Sequence, residues 1–262
     1  MENKTYSDTG SGHTIVFLHG FCESKQVWEA FTQPLQQHFR VIALDLPGHG
    51  NNTQNNSSYS MESMAEDVKQ QLDELGVQQC LLVGHSMGGY VTMAFAEKYE
   101  DRLKGLCLFH SSALPDTDEK KENRNKTIGY VEQHGVDNFI NPFIEPLFFR
   151  GNREKLKNEI ELMKTIGKQT PQKVITGALA AMRDRPDRTQ VLQELAIPVQ
   201  FIFGKEDGAV PLEKALEQCH LPYNSTVHFL GQTGHMGMFE RKTETQQALQ
   251  KFAETIYAGS QA

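Results

Sequence analysis

The sequence predicts an α/β fold, with a mostly parallel central sheet, helices on both of its faces and one inserted all-helical segment. Three observations carry this. Six short runs are almost continuously apolar, as strands buried on both faces of a parallel sheet must be. Between them lie patterns with a period near 3.6, so strand and helix alternate along the chain. The alternation lapses after Pro115 and resumes at Ile197-Pro198, so the intervening segment interrupts one sheet and does not follow a finished domain.

Taken in order, strands are expected at 14–18 (Thr-Ile-Val-Phe-Leu), 40–44 (Arg-Val-Ile-Ala-Leu), 79–83 (Gln-Cys-Leu-Leu-Val), 106–109 (Leu-Cys-Leu-Phe), 199–203 (Val-Gln-Phe-Ile-Phe) and 226–230 (Thr-Val-His-Phe-Leu). After the second run, Met64, Ala65, Val68, Leu72 and Leu75 recur at spacings of one, three, four and three, which puts them on one helical face. Val91, Ala94, Phe95 and Tyr99 repeat the rule after the third run. The interrupting segment has charged helical patterns at 118–134, 153–166 and 171–183, with a dense aromatic stretch at 139–149 and no convincing strand. The expected organisation is therefore a sheet core made of 1–114 and 189–262, with a helical cap at 115–188. Beyond the polar loop at 51–58 there is no low-complexity tract, and there is no internal repeat.

The balance of 26 basic against 33 acidic side chains gives a formal net charge of −7 over 262 residues, which argues against nucleic acid or an anionic membrane surface as partner. Hydrophobic residues at 38% and charged residues at 23% exclude collagenous, disordered and membrane-spanning classes. Cys22, Cys80, Cys107 and Cys219 are too scattered for a disulfide framework, and no ligand spacing suggests zinc. Met1 to Gly12 lacks a basic stretch followed by an apolar one, and no run of some 18 apolar residues occurs. A reducing, cytoplasmic setting is the expectation.

Three loops carry chemistry. Gly84-His-Ser-Met-Gly88 matches the Gly-x-Ser-x-Gly pattern between an expected strand and an expected helix, a context that holds a serine hydroxyl above the sheet on a strained turn. A bare Gly-x-Ser-x-Gly is weak evidence, and a phosphate-holding turn is the bland alternative, but neither a Gly-x-Gly-x-x-Gly spacing nor a P-loop lysine accompanies it. Serine needs a base, and the base needs an orienting group. Asp207 lies on the loop after the 199–203 strand, and His235, flanked by glycines, lies on the loop after the 226–230 strand. Loops at the carboxyl ends of parallel strands share one rim, so Ser86, Asp207 and His235 are expected to converge there. Glu206 competes with Asp207 as the acid.

These motifs, together with Leu18-His-Gly-Phe21 and Asp45-Leu-Pro-Gly-His-Gly50, resemble the α/β-hydrolase superfamily, in the branch with a helical cap inserted after the sixth strand. The resemblance runs from about Gly12 to the C-terminus. The family often has two antiparallel strands before the His-Gly strand, whereas Met1 to Gly12 has room for little more than one. The resemblance implies an oxyanion hole from the backbone N–H groups of Phe21 and Met87. It also implies that His19, His49 and His85 orient loops, leaving His235 as the base. Cys22 reads as a small apolar filler, since no neighbouring histidine or lysine pair would lower its pKa.

Phe139, Phe143, Ile144, Leu147, Phe148 and Phe149 either line an acyl pocket under the cap or form the cap's own core or its seam with the main domain, and of these Phe143 and Phe148 are the pocket candidates. Arg183, Arg185 and Arg188, alternating with Asp184 and Asp187, read as a solvated junction. The function expected is hydrolysis of a small carboxylic ester through a Ser-His-Asp triad and an acyl-enzyme, without metal or organic cofactor. Apolar acyl groups are expected to be preferred to charged ones. The superfamily also includes carbon–carbon bond hydrolases and pyruvate-eliminating lyases of the menaquinone pathway. Those lyases usually have arginine where this chain has Tyr90. A ligand receptor that kept the fold is the alternative of another class.

Overall fold

A computed structural model describes residues 4–54 and 59–258, so the polar loop expected at 51–58 is described only up to Gln54. All six expected strands form, and one more precedes them: β1 (Tyr6–Thr9), β2 (Thr14–Leu18), β3 (Arg40–Leu44), β4 (Cys80–His85), β5 (Leu103–Phe109), β6 (Val199–Gly204) and β7 (Ser225–Leu230). They make a single sheet in the order β1-β3-β2-β4-β5-β6-β7. Only the β1–β3 pairing is antiparallel. The central strands β2, β4 and β6 are buried at every position, which is why their sequences do not alternate, whereas the edge strand β7 is exposed at its first two residues and half-buried at the next three.

The helices are α1 (Glu29–Thr32), α2 (Met61–Glu74), α3 (Met87–Tyr99), α4 (Asp118–His134), α5 (Val136–Ile144), α6 (Lys157–Gln169), α7 (Gln172–Asp184), α8 (Thr189–Glu194), α9 (Leu212–Leu216), α10 (Gly237–Glu240) and α11 (Lys242–Ala258). Helix α2 starts at a capping box in which Ser60 and Ser63 bond each other's backbone N–H, and it buries Met61, Met64, Ala65, Val68 and Leu72. Near the other end of the chain, the Tyr257 hydroxyl on α11 accepts from Leu81 N–H at 2.9 Å and donates to Thr14 C=O at 2.6 Å, pinning the last helix to β2 and β4.

Helices α4 to α8 occupy the chain between β5 and β6, the first four of them within 115–188, and no strand occurs there among the described residues. The insertion follows the fifth strand rather than the sixth because a single strand, β1, precedes the His-Gly strand β2. Its pairing with β3 uses all four of its residues, from Tyr6↔Leu44 to Thr9↔Val41.

The arginines at the end of this segment correct the sequence reading. Only Arg183 is partly open to solvent, paired with its neighbour Asp184. Arg188 is buried and bonds Glu62 and Glu97 on α2 and α3. Arg185 is buried against Asp116 and lies 3.9 Å over the Tyr90 ring. The sequence alternation of signs pointed to neighbours in the chain, but the partners come from other elements. No helix among the described residues is long and apolar enough to cross a membrane.

Candidate active site

Strand β4 ends at His85 and α3 begins at Met87, so Ser86 takes the whole turn, with φ 52° and ψ −117°. A non-glycine residue in the left-handed region costs of order 1–3 kcal/mol and persists only where its surroundings fix it. Here they do: Ser86 N–H donates to Phe109 C=O at 3.0 Å, and Ser86 C=O accepts from Gly89 N–H at 2.9 Å and from the Ser111 hydroxyl at 2.7 Å. The turn is tight enough to require the motif's glycines. A Cβ on Gly84 would lie 2.5 Å from Gly88 O, and one on Gly88 would lie 2.6 Å from His19 O.

Asp207 and His235 are brought together as expected, with His235 Nδ1 donating to Asp207 Oδ2 at 2.7 Å. The other carboxylate oxygen accepts from Ala209 N–H at 2.8 Å and Val210 N–H at 3.0 Å. Burial acts to raise the Asp207 pKa, but the His235 charge and the bonds from two imidazoles outweigh it, so the group stays ionised well below the usual carboxylate range. Glu206, by contrast, is exposed and among the described residues accepts only from Thr233 N–H. The second imidazole is His110, which the sequence reading did not single out. It follows β5 directly, with φ 48° and no exposure, and its Nδ1 lies 3.1 Å from Asp207 Oδ2. Gly204 N–H also approaches this Nδ1, at 3.3 Å, but an ionised carboxylate can only accept, so the shorter and charge-assisted contact sets the proton on His110 Nδ1 and the ring is neutral; burial holds its pKa down to about 4.

A buried relay joins the two other loops of the site. Glu23 Oε2 accepts from Gly20 N–H at 2.7 Å and faces His85 Nδ1 at 3.1 Å, while His85 Nε2 reaches the His235 carbonyl at 2.9 Å. Burial pulls His85 down and pushes Glu23 up, yet their mutual attraction prevails, so His85 titrates above its ordinary value and Glu23 below. The loop-orienting role expected of His85 thus has a partner, Glu23, that no motif marked. The His235 loop is also held from α10 by Glu240, which accepts from Gly234 N–H at 2.9 Å, and from the helical segment by Leu147 C=O, which accepts from His235 N–H at 2.7 Å. Among the described residues, neither the Phe21 nor the Met87 N–H donates to a protein acceptor. Cys22 is fully buried with its thiol pKa pushed up by burial, as suits an apolar filler.

Ser86 and His235 open on one cavity of about 250 Å³, though no hydrogen bond joins them directly among those described. One wall is apolar: Phe21, Phe139, Phe143, Leu147, Leu179 and Met182. Phe143 meets Phe21 edge-on at 5.7 Å and stacks on Phe139 at 4.9 Å. Phe148 does not reach the cavity, which corrects the sequence expectation. It is 1% exposed and packs on Phe239 at 6.2 Å, because the chain leaves α5 through a short 3-10 turn that aims Leu147 at the cavity instead. The rest of the lining includes a polar wall of Lys120, Asn123, Arg124 and Thr127 from α4, which packs beside α7 and brings Arg124 to Met182 at 3.5 Å.

A family model described as the alpha/beta hydrolase fold matches residues 13–242. A solved thermophilic esterase from Thermogutta terrifontis, with malate bound, superposes with a TM-score of 0.91 at 31% identity, covering 96% of this chain and 93% of that one. The pimeloyl-[acyl-carrier protein] methyl ester esterase of Yersinia enterocolitica is 30% identical over 81% of this chain and 83% of its own length. The dihydrolipoyllysine-residue acetyltransferase component of the acetoin cleaving system of Cupriavidus necator is 27% identical over 92% of this chain, which spans only 64% of that longer protein.

Proposed function

Since the chain belongs to the α/β-hydrolase fold family, we propose that it hydrolyses a small carboxylic ester, with Ser86 as nucleophile, His235 as base and Asp207 as the orienting acid. The observation that carries the reading is the meeting of Ser86, on its strained turn, and an Asp207-bonded His235 on the wall of one cavity. His235 Nδ1 is committed to Asp207, which leaves Nε2 to take the Ser86 proton as the hydroxyl attacks the ester carbonyl. The negative charge that then develops on the former carbonyl oxygen falls to the Phe21 and Met87 N–H groups, each such donor being worth about 3 kcal/mol in comparable sites. Collapse expels the alcohol, protonated by His235, and leaves an acyl-enzyme. Water, deprotonated by the same ring, then releases the acid.

In this reading residues 1–114 and 189–262 supply the chemistry and 115–188 form a cap that selects the substrate, a small molecule. The lyase alternative is disfavoured by Tyr90, which stands at its arginine position and packs under Arg185. That guanidinium is committed to Asp116, Met182 C=O and Leu114 C=O. Turnover of short p-nitrophenyl esters by the wild type, and its loss in Ser86→Ala, tests the proposal. Absence of turnover across the series with a fully folded protein would favour the receptor reading.

A further inference from the structure

The polar wall of the cavity carries positive charge that the protein does not neutralise. Arg124 and Arg185 converge on the single carboxylate of Asp116, Arg124 through Nε and Arg185 through Nη1 at 2.7 Å. That leaves two guanidinium charges for one buried anion. Lys120, one turn before Arg124 on α4, donates one of its three N–H groups to Ala209 C=O at 2.9 Å and has no carboxylate partner among the described residues. Of the acidic groups nearby, Glu23, which also lines the first cavity, is occupied by His85 and Gly20, while Glu119 is exposed and forms no ion pair with Lys120 or Arg124 among the described residues. A second cavity of about 330 Å³ adjoins the first, shares Tyr90, Lys120, Asn123 and Ala209 with it, and adds Arg185, Glu119 and Lys214, the last paired with Glu217 at 2.8 Å. A chain of net charge −7 therefore presents a cationic end to the space where Ser86 opens.

We infer that the substrate is an ester carrying a second, untouched carboxylate, which Lys120 and Arg124 hold while its ester carbonyl lies at Ser86. The inference rests on acyl transfer at Ser86 and names its substrate class. It reverses the sequence expectation that charged groups are disfavoured: that penalty applies to an unpaired carboxylate, and this wall supplies the partners. Only the ester C–O bond breaks, water adding across it, and the anchored carboxylate keeps its charge throughout. The apolar wall of Phe139, Phe143 and Leu179 fits the methylene chain between the two ends.

The test compares kcat/KM for p-nitrophenyl butyrate with p-nitrophenyl hydrogen succinate and hydrogen glutarate, which place the carboxylate on the acyl side. A parallel arm uses butyrate esters of phenol and of 4-hydroxybenzoate, which place it on the alcohol side. At low salt the wild type should favour the anionic member in one arm, with the preference shrinking as salt rises. Lys120→Gln should lower the anionic-to-neutral ratio about tenfold or more, and Lys120→Arg should restore most of it. A ratio unchanged in Lys120→Gln, or anionic esters disfavoured in both arms by the wild type, overturns the inference while leaving the hydrolase reading intact. Calorimetric binding of the glutarate dianion, about tenfold weaker in Lys120→Gln, decides the matter even if no ester is turned over. Glutarate binding equally well to both proteins, or to neither, also overturns it.

Discussion

Replacing His110 with glutamine should change the acid sensitivity of the fold in a direction fixed by the protonation state of that ring. His110 is fully buried and its native pKa is held down to about 4, against an ordinary value of 6.5. As pH falls below 6.5 the unfolded chain therefore takes up a proton that the native chain refuses, so stability is lost with acidification. Integrating that uptake, His110 withdraws about 0.2 kcal/mol at pH 7 and about 2 kcal/mol at pH 5. Glutamine cannot titrate, yet its amide can still donate to Asp207 Oδ2 in place of the 3.1 Å bond from Nδ1. At pH 7 the variant should be less stable by about 1–3 kcal/mol, the usual cost of a disturbed buried hydrogen bond. The difference should then shrink by about 1.8 kcal/mol between pH 7 and pH 5, because only the wild type pays the protonation penalty. Urea unfolding at the two pH values measures it. His49, also buried with its pKa lowered to about 3, titrates alike in both proteins and cancels from the comparison. A gap that stays constant or widens on acidification would mean that native His110 is already cationic, and the neutral donor assigned beside Asp207 would be wrong.

Asp207→Asn should lower kcat by orders of magnitude, since the amide supports neither the His235 tautomer nor its cation, whereas Glu206→Gln should change it little; steady-state kinetics of the two variants decide which acid is used. Phe143→Ala should move the chain-length optimum of kcat/KM at modest cost in stability. Phe148→Ala should instead cost about 3–5 kcal/mol in urea unfolding and leave the optimum in place, because that ring is buried away from the cavity. Tyr257→Phe leaves Leu81 N–H and Thr14 C=O without their shared partner and should cost about 1–3 kcal/mol by the same measurement, with kcat unchanged.

The parts of this molecule that were legible in the sequence are those whose physics is local or periodic. Strands buried on both faces must be apolar throughout, so β2, β4 and β6 announce themselves. The Ser86 turn needs small neighbours at fixed offsets, and the loops bearing Asp207 and His235 follow strands directly. What escaped depends on partners distant in the chain. His110 carries no motif, and its significance arises only because β5 and β6 lie side by side, bringing it to Asp207. Glu23 and Glu240 look like ordinary surface carboxylates until their loops close over Gly20 and Gly234. Arg185 and Arg188 sit in a charge-alternating run that reads as solvated, yet Asp116, Glu62 and Glu97 arrive from elsewhere to bury them. Phe143 and Phe148 are equivalent by composition, and only the turn after α5 separates a cavity wall from a core filler.

Acyl transfer at Ser86, as proposed, requires a covalent intermediate on that residue. Intact-protein mass after exposure to a fluorophosphonate, followed by peptide mapping, tests it most directly. A single adduct is expected on the peptide containing Ser86, formed in step with the loss of ester turnover and abolished in Ser86→Ala. Labelling that persists in Ser86→Ala at the wild-type rate, or ester turnover that survives in that variant, would contradict it.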